Sequence, residues 1–286
     1  MNARVQPGVV AERERVDERL PMDEVVKVRA DITHRYGDLL VHDGMRLAIR
    51  ENEFLCICGP SGCGKTTLLD IFAGIIRPTE GKVLIDGAEV DPKRHNISFV
   101  FQEPSTLPWL DVRDNIGTGL RIKKRPKAEI ARKVDDIIGV VGLRGFESYY
   151  PHQLSGGMKQ RVSIARAFAT DADLVLMDEP FVSLDQPTRE KMQREVLGIW
   201  EHHRRTIVFV THNLEEAVFL GDRVVMLSTK PARIVADITV DLPRPRNPVS
   251  AGFTAIRARC ADLLQDLHAG EAPAEAMRDR LEANGR

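Results

Sequence analysis

The chain has 286 residues, enough for one large domain or two small ones with a well-buried core. Apolar residues make up 43% and charged residues 29%, the balance of a soluble globular protein, and a net charge of -1 gives no electrostatic footprint for nucleic acid. No run approaches the roughly 18 apolar residues that span a bilayer, and the opening MNARVQPGVVAERERVDERLP has no apolar signal core, so the reading is a cytoplasmic protein that meets a membrane only through a partner.

Residues 1–23 are charged and lack apolar periodicity, which predicts a mobile extension. Val25, Val26, Val28 and Ile32 predict a first strand, and Met45, Leu47 and Ile49 alternate like a second, half-exposed one. Residues 54–58 form a short continuous apolar run, as a strand buried on both faces requires. Its Cys56 and Cys58, like Cys63 and Cys260, have no second cluster to complete a metal site and read as reduced core thiols.

Directly after that strand comes Gly59-Pro60-Ser61-Gly62-Cys63-Gly64-Lys65-Thr66, which fits G-x-x-x-x-G-K-[ST] without a gap. Glycines let the backbone curl so that successive N–H groups face phosphate oxygens. A helix predicted over 66–73 adds the partial positive charge of its N-terminus. Lys65 supplies a full charge at the β- and γ-phosphates, and Thr66 a hydroxyl for Mg²⁺.

Strands are predicted at 83–86 and 97–101, then helices from 111 to about 150, with Ile130, Val134, Ile137, Ile138 and Val141 on one face. Another helix runs over 157–169. From 174 to 227 strands and helices alternate, which predicts a parallel α/β core carrying the helical stretch as an insert. The strand at 174–177 ends in Asp178 and Glu179, at the edge where an α/β sheet binds ligand. Asp178 suits Mg²⁺, through water, and Glu179 suits polarising the water that attacks the γ-phosphate. DLPRPRNP at 241–248 reads as a Pro-rich boundary. Beyond it Phe253, Ile256, Cys260, Leu263, Leu264 and Leu267 keep helical spacing, and a helix covering an edge of the core is expected.

Leu154-Ser155-Gly156-Gly157-Met158-Lys159-Gln160-Arg161 is physically a helix start: Ser155 can cap it, and two glycines expose backbone N–H groups, a second anion-binding feature in one chain. It resembles the L-S-G-G-x-x-Q-R signature of ATP-binding-cassette (ABC) ATPases, and the resemblance covers about residues 25–245. It implies a RecA-like P-loop NTPase core with an antiparallel β subdomain and an inserted helical subdomain. It divides the chain into an extension (1–23), an ATPase domain (24–245, insert about 111–157) and a C-terminal helix and tail (246–286). It also implies an ATP-binding run of Gly59, Pro60, Ser61, Gly62, Cys63, Gly64, Lys65, Thr66 and Thr67, with Tyr36 in HRYGD stacked on adenine. Gln102 in VFQEP resembles the Q-loop that senses Mg²⁺ and water beside the membrane subunit. Ser183-Leu184-Asp185 resembles the D-loop, and His212 in FVTHN resembles the switch histidine at the γ-phosphate.

In such proteins two cassettes stack head to tail, and Ser155, Gly156, Gly157 and Gln160 would face the ATP of a second copy. The partners implied are that copy, integral-membrane permease subunits and, indirectly, a solute-binding protein, at the cytoplasmic face of the plasma membrane. STLPWLDVRDN at 105–115 and VDLPRPR at 240–246 resemble the nitrate, taurine and alkanesulfonate importer subgroup, although Pro92 is followed by Lys93 where that subgroup often has glycine. An exporter cassette, a soluble ABC ATPase acting on DNA or ribosomes, and a module that binds nucleotide without hydrolysis are the competing readings.

Overall fold

The structure is a computed structural model describing residues 25–269, with side chains described to residue 265. The expected 1–23 extension and the tail beyond 269 lie outside the described residues. Strands β1 (Val26–Tyr36) and β2 (Leu39–Arg50) form a hairpin, and β3 (Phe54–Cys58) follows after a tight turn. Helix α1 (Lys65–Phe72) leads to β4 (Glu80–Ile85), the two-residue β5 (Ala88–Glu89) and β6 (Ile97–Val100). The insert supplies α2 (Val112–Ile122) and α3 (Lys127–Val140), and α4 (Gly156–Ala169) returns to the core. Then come β7 (Leu174–Asp178), α5 (Gln186–His203), β8 (Thr206–Thr211), α6 (Leu214–Leu220), β9 (Arg223–Leu227), β10 (Ile234–Thr239) and α7 (Ala251–Ala269).

These strands make two sheets, one ordered β2-β1-β4-β5 and one ordered β10-β9-β3-β8-β7-β6. The first is antiparallel throughout. In the second, β9, β3, β8, β7 and β6 are parallel, whereas β10 pairs antiparallel with β9. The parallel core read from the sequence therefore ends in an antiparallel edge strand. IVADIT has too few buried positions to announce that strand by pattern.

All five residues of β3 are buried, and its alternate side chains feed two different cores. Phe54, Cys56 and Cys58 pack with Met177, Phe209, Trp200 and α7 residues Phe253 and Cys260. Leu55 and Ile57 face Leu68, Leu69 and Phe72 of α1 and the inner face of the antiparallel sheet. Burial on both faces explains why the strand reads as an unbroken apolar run. A third core belongs to the insert. It joins Ile116 and Leu120 of α2, Val134 and Ile138 of α3, and Val162, Ala165 and Ala169 of α4. The insert is thus packed on α4, the helix that follows it.

The Pro-Arg-Pro-Arg segment has a definite structural task. Arg246 is buried and donates to the carbonyls of Val218, Phe219 and Gly221 at 2.8, 3.2 and 2.5 Å and to that of Val240 at 3.1 Å. It satisfies the orphan carbonyls at the end of α6. Burial pushes its guanidinium down to about 10. Arg244 donates to Asp222 and to the Leu220 carbonyl, both at 2.6 Å, and lies 4.6 Å over the Trp200 ring.

The two sheets are tied by Arg223. Its guanidinium donates to Glu53 at 2.7 Å, to Asp237 on β10 at 2.9 Å and to the carbonyl of Ala48 on β2 at 2.6 Å. Removing one member of a buried ion network strands the others without a partner. Arg223→Ala is expected to lower the unfolding free energy by about 3–5 kcal/mol, read from the midpoint and slope of urea denaturation.

Candidate functional site

Strands β3, β8 and β7 are parallel neighbours, with Cys58 opposite Thr211 and Asp178 opposite Val210. The residues that follow each strand therefore emerge at one edge of the sheet. The 59–64 loop follows β3, Glu179 follows Asp178, and His212 follows Thr211.

The loop closes tightly. Gly62 has φ 75° and Gly64 φ 105°, and a Cβ on Gly64 would stand 2.6 Å from Val41 Cγ1. Gly64 is the N-cap of α1, so the N–H groups of Lys65, Thr66 and Thr67 begin the helix with no partner inside it. Ser61 and Gly62 are exposed, Pro60 is half-buried and the Cys63 thiol is buried. Burial pushes that thiol up from its ordinary value, with Lys65 pulling the other way. Lys65 Nζ donates to the carbonyls of Gly59 at 2.9 Å and Pro60 at 2.8 Å, so the ammonium stands across the mouth of the loop.

Thr66 Oγ1 donates to Asp178 Oδ2 at 2.7 Å. Burial pushes the Asp178 carboxyl above the usual carboxylate range. The Thr66 bond and Lys65 oppose that shift, and Glu179 and Asp70 reinforce it. A desolvated carboxylate beside a hydroxyl is an all-oxygen donor pair that fits a hard cation such as Mg²⁺. Among the described residues no group of three His, Cys, Asp or Glu could hold a metal. An ion here would complete its shell with phosphate oxygens and water, the habit of Mg²⁺.

Glu179 takes the left-handed backbone conformation, φ 42°. A glutamate is held there at a cost of about 1–3 kcal/mol. Its N–H donates to the Val210 carbonyl at 2.9 Å, and its own carbonyl accepts from Val182 at 3.2 Å. The twist sends the Glu179 carboxylate to His212, whose Nδ1 lies 2.8 Å from Oε2. Behind the pair, Thr211 Oγ1 donates to the buried Glu216 at 2.7 Å, and Asn213 caps α6 by accepting from Glu215 and Glu216 at 2.9 and 3.3 Å. Thr211, Asn213 and Glu216 belong to none of the motifs read from the sequence. Their signal was available: Asn213 with Glu216 three residues on is the pattern that starts a helix.

Other expected site residues sit further out. Gln102 is exposed just beyond β6, on the same edge of the sheet, and no hydrogen bond is described for its side chain. Tyr36 ends β1 half-exposed, packed edge to face on His34 with centroids 4.7 Å apart. Ser155 caps α4 by accepting from Met158 N–H at 3.3 Å, and Gly156 and Gly157 open that helix. Among the described residues no hydrogen bond joins this turn to the 59–66 loop. Asp185 caps α5 by accepting from Thr188 N–H at 3.1 Å, which pulls its carboxyl below the usual range. A Cβ added at Gly157 would stand 3.1 Å from the neighbouring Leu184 side chain.

Gln160 departs from expectation. Its side chain is fully buried, and Nε2 donates to the Phe101 carbonyl at 3.2 Å. It links α4 to the segment carrying Gln102 rather than facing outward. In the 105–115 segment, Trp109 is 69% exposed. The loop beneath it is stitched by buried Asn115, which accepts from Leu107 N–H and donates to the carbonyls of Leu107, Leu110 and Asp111.

A lysine-bearing glycine loop that shares its sheet edge with an acid pair is the apparatus of a phosphate-loop nucleotide hydrolase. The ABC transporter family profile matches residues 42–182. An uncharacterized ABC transporter ATP-binding protein of Methanocaldococcus jannaschii is 46% identical over 90% of this chain and 95% of its own length. An aliphatic sulfonates import ATP-binding protein of Bacillus cereus is 41% identical, covering 78% of this chain and 88% of its own. A taurine import ATP-binding protein of Pelagibacter ubique is 46% identical over 66% of this chain and 72% of its own. Among solved structures, a dimeric ATP-binding cassette in a post-hydrolysis state, bound to ADP and phosphate, superposes with a TM-score of 0.67 at 31% identity. That match covers 76% of this chain and all of the other. The chain belongs to the ABC transporter family as an ATP-binding ATPase subunit.

Lys65→Ala removes the only full positive charge that the loop itself carries. It is expected to weaken binding of the fluorescent analogue TNP-ATP by more than about tenfold, read by fluorescence titration.

Proposed function

We propose that the chain is the ATP-hydrolysing motor of an importer for small sulfonates, taurine among them. The observation that carries the motor is the Glu179–His212 pair at 2.8 Å, on the sheet edge that also holds Thr66 and Asp178. The phosphates of ATP lie along the loop and α1 N–H groups, with Lys65 against the β- and γ-oxygens. Thr66, Asp178 (through water) and Gln102 from the neighbouring strand end would hold Mg²⁺. The ion draws charge off the phosphates when bound. Glu179 takes a proton from the attacking water, the oxygen bonds to the γ-phosphorus, and the bond to ADP breaks to leave ADP and phosphate. His212 fixes the rotamer of Glu179 and reaches the γ-phosphate. Tyr36 stacks on the adenine.

The second anion-facing feature, at Ser155, Gly156 and Gly157, serves the ATP held by another copy of the chain, so two copies clamp two nucleotides head to tail. The dimeric neighbour supports this reading. Gln160 acts from behind, holding the signature helix to the Gln102 segment. The described residues include no helix long and apolar enough to cross a membrane. By the import relatives, transport runs through permease subunits, with a solute-binding protein beyond them. The exposed Trp109 surface beside the insert suits that docking, at the cytoplasmic face. The sulfonate assignment rests on the names of the import relatives.

Glu179→Gln is expected to cut steady-state ATPase activity by at least about a hundredfold and to trap an ATP-bound dimer, seen by phosphate release and size-exclusion chromatography. Undiminished turnover refutes the base. Deletion of the gene is expected to abolish growth on taurine or alkanesulfonates as sole sulfur source, with rescue by wild type and not by Glu179→Gln. A defect confined to nitrate as sole nitrogen source would transfer the solute assignment to nitrate.

A further inference from the structure

His42 lies outside every motif, yet it is fully buried beside the nucleotide loop. Its backbone is clamped on two sides. It pairs with His34 of β1 and bridges Ala232, whose N–H donates to Val41 at 2.7 Å and whose carbonyl accepts from Asp43 at 3.2 Å. Nε2 of the ring stands 3.1 Å from the carbonyl oxygen of Gly64. A carbonyl only accepts, so the proton of the neutral ring is on Nε2. Burial keeps the ring neutral by pushing it down to about 4.

The Gly64 carbonyl accepts a second bond, from Leu68 N–H at 2.9 Å. Both lone pairs are thus engaged. In a planar trans peptide, C=O and N–H point in opposite directions. Pinning the Gly64 oxygen toward His42 and Leu68 therefore aims the Lys65 N–H the other way, out of the helix start. That is the first N–H of α1 with no partner inside the helix, one of those a phosphate meets; in the structure it also faces the Cys63 thiol. Gly64, at φ 105°, has no Cβ to restrict this peptide plane, so it is held by two contacts, the helix's own Leu68 N–H and the His42 ring from outside.

We propose that His42 is a positioning residue for nucleotide binding: through the Gly64 carbonyl it sets the direction of the Lys65 N–H before ATP arrives. His34 backs it, 6.4 Å away between ring centroids, and Tyr36 packs on His34 in turn. The three rings form a row from the exposed Tyr36 to the loop. His42 touches no phosphate; it lowers the ordering cost of the loop, which is an affinity effect.

The inference rests on the 59–66 loop being the nucleotide cradle. The experiment compares the intact wild-type chain with His42→Leu, which fills the space without a donor, His42→Gln, which restores one, and Lys65→Ala. TNP-ATP dissociation constants, ATPase kinetics and thermal midpoints are measured for each. His42→Leu is expected to raise the dissociation constant and the KM for ATP about three- to tenfold, the worth of one hydrogen bond. KM should move by a larger factor than kcat, and His42→Gln should recover most of the loss. An unchanged dissociation constant in His42→Leu overturns the proposal. So does an equal loss in both histidine variants, which marks a packing role. Nitrogen-15 spectra of the wild type should show His42 as the Nε2–H tautomer at pH 7, and a proton on Nδ1 overturns it independently. If Lys65→Ala also binds normally, the cradle itself is misplaced. If Lys65→Ala loses affinity while His42→Leu does not, the cradle stands and only the positioning role falls.

Discussion

The hydrogen bond from Thr66 to Asp178 joins groups 112 positions apart in the chain, and the site depends on it. Neither side chain is placed by its local sequence. Thr66 is where it is because β3 ends at Cys58 and the loop returns within six residues to start α1. Asp178 is where it is because β7 runs parallel to β8, which runs parallel to β3. A slip of one residue in either pairing would turn Asp178 to the other face and put Met177 or Glu179 in its place. The dense apolar packing on both faces of β3 prevents that slip, so the two buried cores serve chemistry as much as stability.

Glu179 shows how the same register is spent. The acid next to Asp178 along an ordinary strand would point away from it. The left-handed turn at Glu179 breaks the alternation and swings its carboxylate to His212. Two adjacent acids thereby face different partners, one a hydroxyl suited to a metal and the other an imidazole. The Val210 carbonyl, which accepts the Glu179 N–H, belongs to the strand that delivers His212, so the strained residue and its partner are held by one element.

Most of this was legible because it depends on continuous pattern. The apolar runs at 54–58 and 174–177, the glycine loop and the helix faces each carry their signal within a few residues. What stayed hidden depends on distance in the chain. A lone histidine in a half-buried strand gives no sign that its ring meets Gly64, 22 positions on. Gln160 sits inside the signature, whose resemblance implies an outward role, but α4 turns that position inward, onto Phe101. Strand β10 is an edge strand of mixed polarity, and only the β9 hairpin makes it a strand. The Pro-rich 241–248 segment looked like a spacer because its arginines find their acceptors in α6, some 25 residues earlier.

That last feature bears on how such a motor can be moved between proteins. All the expected nucleotide-site residues lie before residue 213, and the family profile itself ends at 182. A graft cut at the end of the motifs, or at the prolines, would leave the α6 carbonyls bare and open a hole where Phe253 and Cys260 fill the core. The portable unit is therefore longer than the catalytic one. Recombination that exchanges tails has to carry a matching α6 along with the arginines, so the C-terminal helix and the His212 region are inherited together.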